Sequence, residues 1–145
     1  MPENWSVFIE VCDYFAAKGI TPVRANNYAS LRKLISAKSL YSLYQQDTAS
    51  AIKEFNREPA KLANTLRPGI EMVEEMIERK WIDCAEVLET EQTSDDLKLF
   101  VGGNRPFMVT GGWAAIRVKN MEPDFSYGVP AFPILDDGSV LAVEG

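Results

Sequence analysis

None of the 145 residues of this chain is a histidine, and this limits the catalytic chemistry that the chain could perform. Histidine is the usual general base near neutral pH and the commonest metal ligand, and Ser-His and Cys-His nucleophiles depend on it. Carboxylate, lysine, tyrosine and cysteine chemistry is what is left. The glycines form neither GxGxxG nor GxxxxGK[ST], and no GxSxG occurs. The sequence therefore predicts no catalytic residues, no cofactor and no metal site.

The acidic clusters are explained by structure more simply than by catalysis. Four glutamates between positions 71 and 78 share one side of a predicted helix, which is the pattern of a solvated face. Asp136 and Asp137 precede Gly138, a composition that favours a hairpin turn. Neither cluster indicates an acid-base pair.

The two cysteines, Cys12 and Cys84, are far apart in the sequence and lack CxxC spacing. Cys12 shares the apolar stripe of a predicted helix with Phe8 and Phe15, so we expect a buried and unreactive thiol. A disulfide between the two cysteines is left open by the sequence.

A predicted strand, a glycine turn and a short helix follow one another between residues 107 and 118. Residues 107–110 form the strand, Gly111-Gly112-Trp113 the turn, and residues 114–118 the helix. In α/β proteins ligands bind at the carboxyl edge of the sheet, which is where such a turn lies. Glycines at the turn leave the indole as a large exposed face. Gly112 and Trp113 are therefore candidate binding residues.

Composition limits the class of protein and its partners. A net charge of -6 and a pI near 4.7 give no drive toward phosphate backbones, so we expect no nucleic-acid partner. A hydrophobic fraction of 46% and a mean hydropathy of -0.14 are typical of one globular domain. No apolar run approaches the ~20 residues of a membrane span, and the first residues do not resemble a signal peptide. The chain is thus expected to be either cytoplasmic or a part of a longer protein.

The hydrophobic pattern alternates between helices and short strands. Asn4 is placed to cap a helix that ends before Gly19. A helix over residues 62–81 would bury a stripe from Leu66 to Trp81, with Pro68 either kinking it or lying in its first turn near residues 65–67. Further helices are predicted over residues 30–37, 39–46, 49–55 and 114–118, and Asp47 or Thr48 is placed to cap the helix over 49–55. The strands predicted over residues 20–23, 107–110, 127–134 and 140–143 complete a single α/β lobe over residues 1–145, a short mixed sheet flanked by helices. Pro130 and Pro133 make the third of these an edge strand or a broken one.

The order of several segments resembles a known family, the extracellular solute-binding proteins of carbohydrate ABC transporters. In that family a Trp-led helix runs to "KGITP", which here is residues 18–22 after Asn4-Trp5. Its methionine-bearing strand and "G-x-W" turn are similar to residues 107–109 and 111–113. Its "pdf-x-fGv" segment is similar to residues 123–129. The chain departs from the pattern at Asn104-Arg105, where the family usually has Gly-Lys.

The resemblance implies one lobe of a two-lobed, type II periplasmic-binding-protein-like fold. It implies a monomeric, extracytoplasmic lipoprotein that captures a carbohydrate and delivers it to an ABC permease in the membrane, without catalysis. Trp113 then matches the family's cleft tryptophan. Asn26, Asn27 and Tyr28, in the loop after the first strand, occupy a place where the family also contributes ligand contacts, although helix-entry loop chemistry explains them equally well.

The sequence is also compatible with two other classes of protein. One is an intracellular α/β enzyme or regulatory domain that uses carboxylates such as Asp83, Glu86 or Asp136. The other is an interaction domain with a docking patch of Tyr41, Tyr44 and Trp81, although such aromatic residues more often belong to a core.

Overall fold

The computed structural model describes residues 1–26, 29–90 and 95–139 of the chain. These residues form seven helices and two short strands, so the fold is mostly helical, with a two-stranded parallel sheet that is compatible with the α/β class. In chain order they are α1 (Trp5–Ala16), β1 (Val23–Arg24), α2 (Ser30–Tyr44), α3 (Thr48–Arg57), α4 (Pro59–Glu78), α5 (Cys84–Glu89), α6 (Asp95–Val101), β2 (Phe107–Met108) and α7 (Ala114–Asn120). Over these same ranges, every helix is too short or too polar to span a bilayer.

Local capping signals place the first helices as predicted. The Asn4 side chain accepts a 2.9 Å hydrogen bond from the backbone nitrogen of Val7, which satisfies a donor that the first turn of α1 leaves unpaired. After α1, Gly19 adopts a φ of 75°, a conformation that glycine takes without steric cost. Asp47 caps α3 in the same way as Asn4 caps α1, by accepting from Ala49 and Ser50.

The sheet is smaller than the sequence predicts. Val23 pairs with Phe107 and Arg24 with Met108 in a parallel ladder. Residues 127–134 contribute only a single bridge residue, Pro133, because prolines at 130 and 133 supply no backbone N–H. The strand predicted over 127–134 is thus broken down to this one residue, and the strand predicted over 140–143 lies outside the described residues.

The helices α2 and α4 also differ from their predictions. Residues 30–44 form one helix rather than two, since neither glycine nor proline interrupts them. Helix α4 begins at Pro59, well before residues 65–67, and continues through Pro68. Its buried residues are Gly69, Met72, Val73 and Met76, while Ile70 of the predicted stripe is exposed.

An aromatic cluster around Phe8 forms the centre of the main core. The centre of the Phe8 ring lies 5.2 Å from the ring centres of Phe107 and Phe132 and 6.2 Å from that of Trp81. Cys12 is fully buried on the same face of α1, as predicted, and both cysteines are free thiols. Alternate strand residues point to opposite faces of a sheet. Phe107 accordingly joins this core, while the next residue, Met108, packs on a second cluster of Leu97, Ala114 and Val118.

Candidate functional site

The glycine turn leads into α7, as the sequence predicts, but Val109 and Thr110 separate it from β2, which is shorter than the predicted strand over residues 107–110. The backbone nitrogens of Ala114 and Ala115 donate to the carbonyls of Gly111 and Gly112, at 3.0 and 3.2 Å, and so close the turn. Trp113 is the residue before α7, and 38% of it is exposed. The Arg117 guanidinium lies 5.1 Å from the centre of its ring. The indole is thus a feature of the surface rather than of the core.

Gly111 allows two side chains to approach the turn. A Cβ at this position would lie 2.4 Å from Nε1 of Trp113 and 3.2 Å from Nζ of Lys33. Any larger residue would have to displace the indole. At Gly112 a Cβ would meet nothing within 4 Å, so the structure places no steric requirement on that glycine.

A cavity of about 780 Å³ lies beside the turn, within the volume range of small-molecule sites. It is bounded by the segment from β2 to Gly112, by α7 and by residues 125–133. Tyr127 holds this last segment against α7, since its hydroxyl donates a 2.9 Å hydrogen bond to the carbonyl of Ala115. Aromatic side chains supply much of the wall: Phe8, Phe100, Phe107, Phe125, Tyr127 and Phe132. The cavity is therefore suited to a ligand with an apolar face.

Among the described residues, the charged side chains that line the cavity are both basic, Lys33 and Arg105. Arg105 is held in place, because its guanidinium lies 2.5 Å from Oε2 of Glu86 and donates to the carbonyl of Thr21 at 2.6 Å. Arg24 contacts the other oxygen of Glu86 at 2.7 Å, and burial lowers the pKa of Arg24. This ion cluster fastens α5 to the two strand segments.

Lys33 differs from Arg105 in having no counterion. It lies near the start of α2, it is half-buried, and no ion pair joins it to any side chain in the described ranges. Thr110, at the end of the strand segment, lines the same cavity, and its Oγ1 is buried without a hydrogen-bond partner.

Asn26 is placed near the other strand but faces inward. It is 1% exposed; its Oδ1 accepts from the backbone nitrogens of Ala29 and Ser30, and its Nδ2 donates to Asp96 at 2.9 Å. Ser30 in turn donates to the carbonyl of Val109 at 2.6 Å. Asn26 thus ties the loop after β1 to α2 and α6. Its role in ligand binding stays a prediction.

The structure does not form the docking patch predicted from the sequence, and it leaves two of the predicted ligand contacts undescribed. Asn27 and Tyr28 lie outside the described residues. Trp81 is fully buried, and its Nε1 donates to Asp13 at 2.9 Å, so the docking patch of Tyr41, Tyr44 and Trp81 does not form as one exposed surface.

Sequence reasoning did not identify Lys33 or the aromatic wall as parts of the site. Lys33 lies in an ordinary helical pattern, and only the pairing of β1 with β2 brings the start of α2 to the glycine turn. The sequence pattern placed Phe107 and Phe132 in predicted strands as apolar residues, and it indicated nothing more about them. No local pattern could have distinguished them as cavity walls.

The described part of the chain contains no group of three or more acidic or cysteine side chains that could hold a metal ion. Comparisons of the sequence with protein-family models and curated proteins, and of the structure with solved structures, found no match. The assignment of a function therefore depends on the geometry of this site and on the motifs of the sequence.

Proposed function

We propose that this chain is a carbohydrate-binding lobe of type II periplasmic-binding-protein-like fold. In this proposal the whole protein is a monomer that acts outside the cytoplasm, in the periplasm or anchored at the cell surface. It captures a sugar between two lobes and delivers it to an ABC permease. No bond is made or broken, and no nucleic acid is involved.

The observation that carries the proposal is the position of Trp113. Sugar sites use aromatic faces against the apolar face of a pyranose ring, together with polar groups for the hydroxyls. The Trp113 indole is partly exposed at the turn between β2 and α7, and a 780 Å³ cavity with aromatic walls lies beside that turn; Gly111 and Gly112 line it, and Trp113 does not. Of the three tryptophans, Trp81 is fully buried and Trp5 is packed among aromatic residues.

The sheet gives further support, because it brings two of the resembling segments together. Residues 18–22 lead into β1, and the methionine-bearing segment forms β2, its parallel neighbour. The backbone nitrogen of Phe107 donates to the carbonyl of Pro22 at 3.1 Å. Segments that the resemblance links in order are thus neighbours in the sheet.

The carboxylates of the alternative enzyme are engaged in structural contacts. Asp83 caps α5 by accepting from the backbone nitrogen of Glu86, and Glu86 itself pairs with two arginines. Asp136 accepts from the backbone and hydroxyl of Ser6, at 2.7 and 2.5 Å. These contacts favour a binding protein over a carboxylate enzyme.

Calorimetric titration of the whole, two-lobed protein with a panel of mono- and disaccharides tests the proposal. We expect Trp113→Ala to weaken sugar binding by at least ~10-fold, about 1.4 kcal/mol, with an unchanged circular dichroism spectrum. Tyr44→Ala, which removes another exposed aromatic ring, is the control and should bind as the parent does. If no saccharide binds, or if the Trp113 variant binds equally well, the proposal is wrong.

A further inference from the structure

We infer that the carbohydrate taken by this site is acidic, with its carboxylate facing Lys33. The inference rests on the proposed function and deepens it, from sugars in general to uronic acids and saccharides that contain them.

The first argument concerns the charge of the cavity wall. The chain carries 21 acidic and 15 basic residues, yet its cavity is lined by Lys33 and Arg105 and by no aspartate or glutamate of the described residues. A wall of this kind does not repel an anion, in spite of the chain's net charge of -6. Arg105 is held by Glu86, which it shares with Arg24, whereas Lys33 contacts no carboxylate of the described residues and is the wall's unpaired basic side chain.

The second argument concerns the donors at the glycine turn. Nζ of Lys33 and Nε1 of Trp113 both lie beside Gly111, close to the position that a side chain there would occupy. An ammonium group donates up to three hydrogen bonds and an indole N–H one, and neither group accepts any. In the described structure no acceptor is recorded for either group. Two adjacent donors, one of them charged, match the paired oxygens of a carboxylate.

The third argument concerns the body of the ligand. A uronic acid has an apolar ring face as well as an anionic group; the cavity offers aromatic walls beside Lys33, and the Trp113 indole lies at its margin, next to Gly111. A sugar phosphate shares the anionic chemistry but carries up to two charges. The guanidinium of Arg105 is already occupied by Glu86 and Thr21, so the ligand's anion faces the single ammonium of Lys33, and we assign the singly charged carboxylate.

Titration with matched pairs tests the inference: d-glucuronate against d-glucose, d-galacturonate against d-galactose, and glucose 6-phosphate as the phosphate arm. We expect at least one uronate to bind ~10-fold or more tighter than its neutral partner. Its affinity should fall between about 20 mM and about 500 mM salt, because salt screens a partly exposed ion pair. Tighter binding of the phosphate than of either uronate would overturn the assignment of a carboxylate.

Variants of Lys33 test whether its positive charge causes the preference for the uronate over the neutral sugar. Lys33→Met should remove the preference for the uronate, and Lys33→Arg should keep it. Lys53→Met, the same change at an exposed position of α3, should keep it too. If Lys33→Met does not fold, the inference is tested by the salt dependence of uronate binding to the unsubstituted protein. An affinity for the uronate that does not change with salt contradicts the inference.

The two proposals fail differently. Equal affinity for neutral and acidic sugars, or a preference that survives in Lys33→Met, overturns the inference and leaves the carbohydrate function standing. An absence of binding to every sugar overturns both.

Discussion

The hydroxyl of Ser39 on α2 accepts a hydrogen bond of 2.8 Å from the backbone nitrogen of Gly69 on α4. The same hydroxyl donates one of 2.9 Å to the carbonyl of Leu66. Helix α4 needs this contact because Pro68 interrupts its own ladder, and a side chain from the neighbouring helix supplies both an acceptor and a donor there. The two helices can approach this closely only because residue 69 is a glycine, since a Cβ would lie 2.3 Å from the carbonyl oxygen of Ile35.

Gly69→Ala should therefore destabilise the protein by about 2 kcal/mol, because the methyl group would collide with the backbone of α2. Helix propensity alone predicts the opposite sign, a gain of up to about 1 kcal/mol. Gly102→Ala is the control, since a Cβ there would make an ordinary 3.4 Å contact with Lys98. Urea unfolding of both variants measures the difference, and equal stabilities would show that α2 and α4 do not touch at this point.

Adjacent glycines at the turn should respond differently to the same substitution. Gly111→Ala pushes the Trp113 indole out of place, and we expect ~10-fold weaker sugar binding and a shifted tryptophan emission, with the fold retained. Gly112→Ala adds its methyl group to open space and should leave the emission unchanged. Fluorescence and calorimetry on the pair measure this. Identical behaviour of the two variants would place the indole elsewhere.

The two thiols should differ sharply in reactivity. Cys84 is exposed, whereas burial raises the pKa of Cys12 to about 12, so little nucleophilic thiolate forms at pH 8. Titration with an aromatic disulfide reagent should give one fast thiol in the native protein and two in denaturant. The variant Cys84→Ser should show no fast thiol. Rapid labelling of Cys12 in that variant would mean that the phase of α1 is wrong.

Replacing the shared carboxylate of the ion cluster should be costly. Glu86→Gln leaves Arg24 and Arg105 without their common counterion in a largely buried setting, and we expect a loss of about 3 kcal/mol. Glu78→Gln, at the exposed end of α4, should change stability by less than about 0.5 kcal/mol. Chemical denaturation measures both, and a Glu86 variant as stable as the control would mean that the cluster is solvated.

The features that the sequence predicted correctly are those decided over a few residues. Asn4 and Asp47 cap helices because each satisfies backbone donors two or three positions away. The turn at Gly112 and Trp113 was recognisable for the same reason, since strand, glycines and helix follow one another directly.

The features that the sequence did not predict depend on partners far along the chain. The buried face of α4 includes Gly69, which carries no hydrophobic signal and is buried because Ser39 lies against it. Asn26 has the composition of a loop, and only its contact with Asp96 explains its burial. Lys33 belongs to the site because the strand pairing places α2 beside Gly111.

The parallel pairing of Val23 with Phe107 also has a kinetic consequence. All of α2 to α6 lies between these partners, so the pairing closes a long loop and loses more chain entropy than the nearer contact of α2 with α4. We expect the helical pair to form early and the strands to join late. The Trp113 turn is completed only when β2 docks on β1, so the ability to bind should be acquired in the last step of folding.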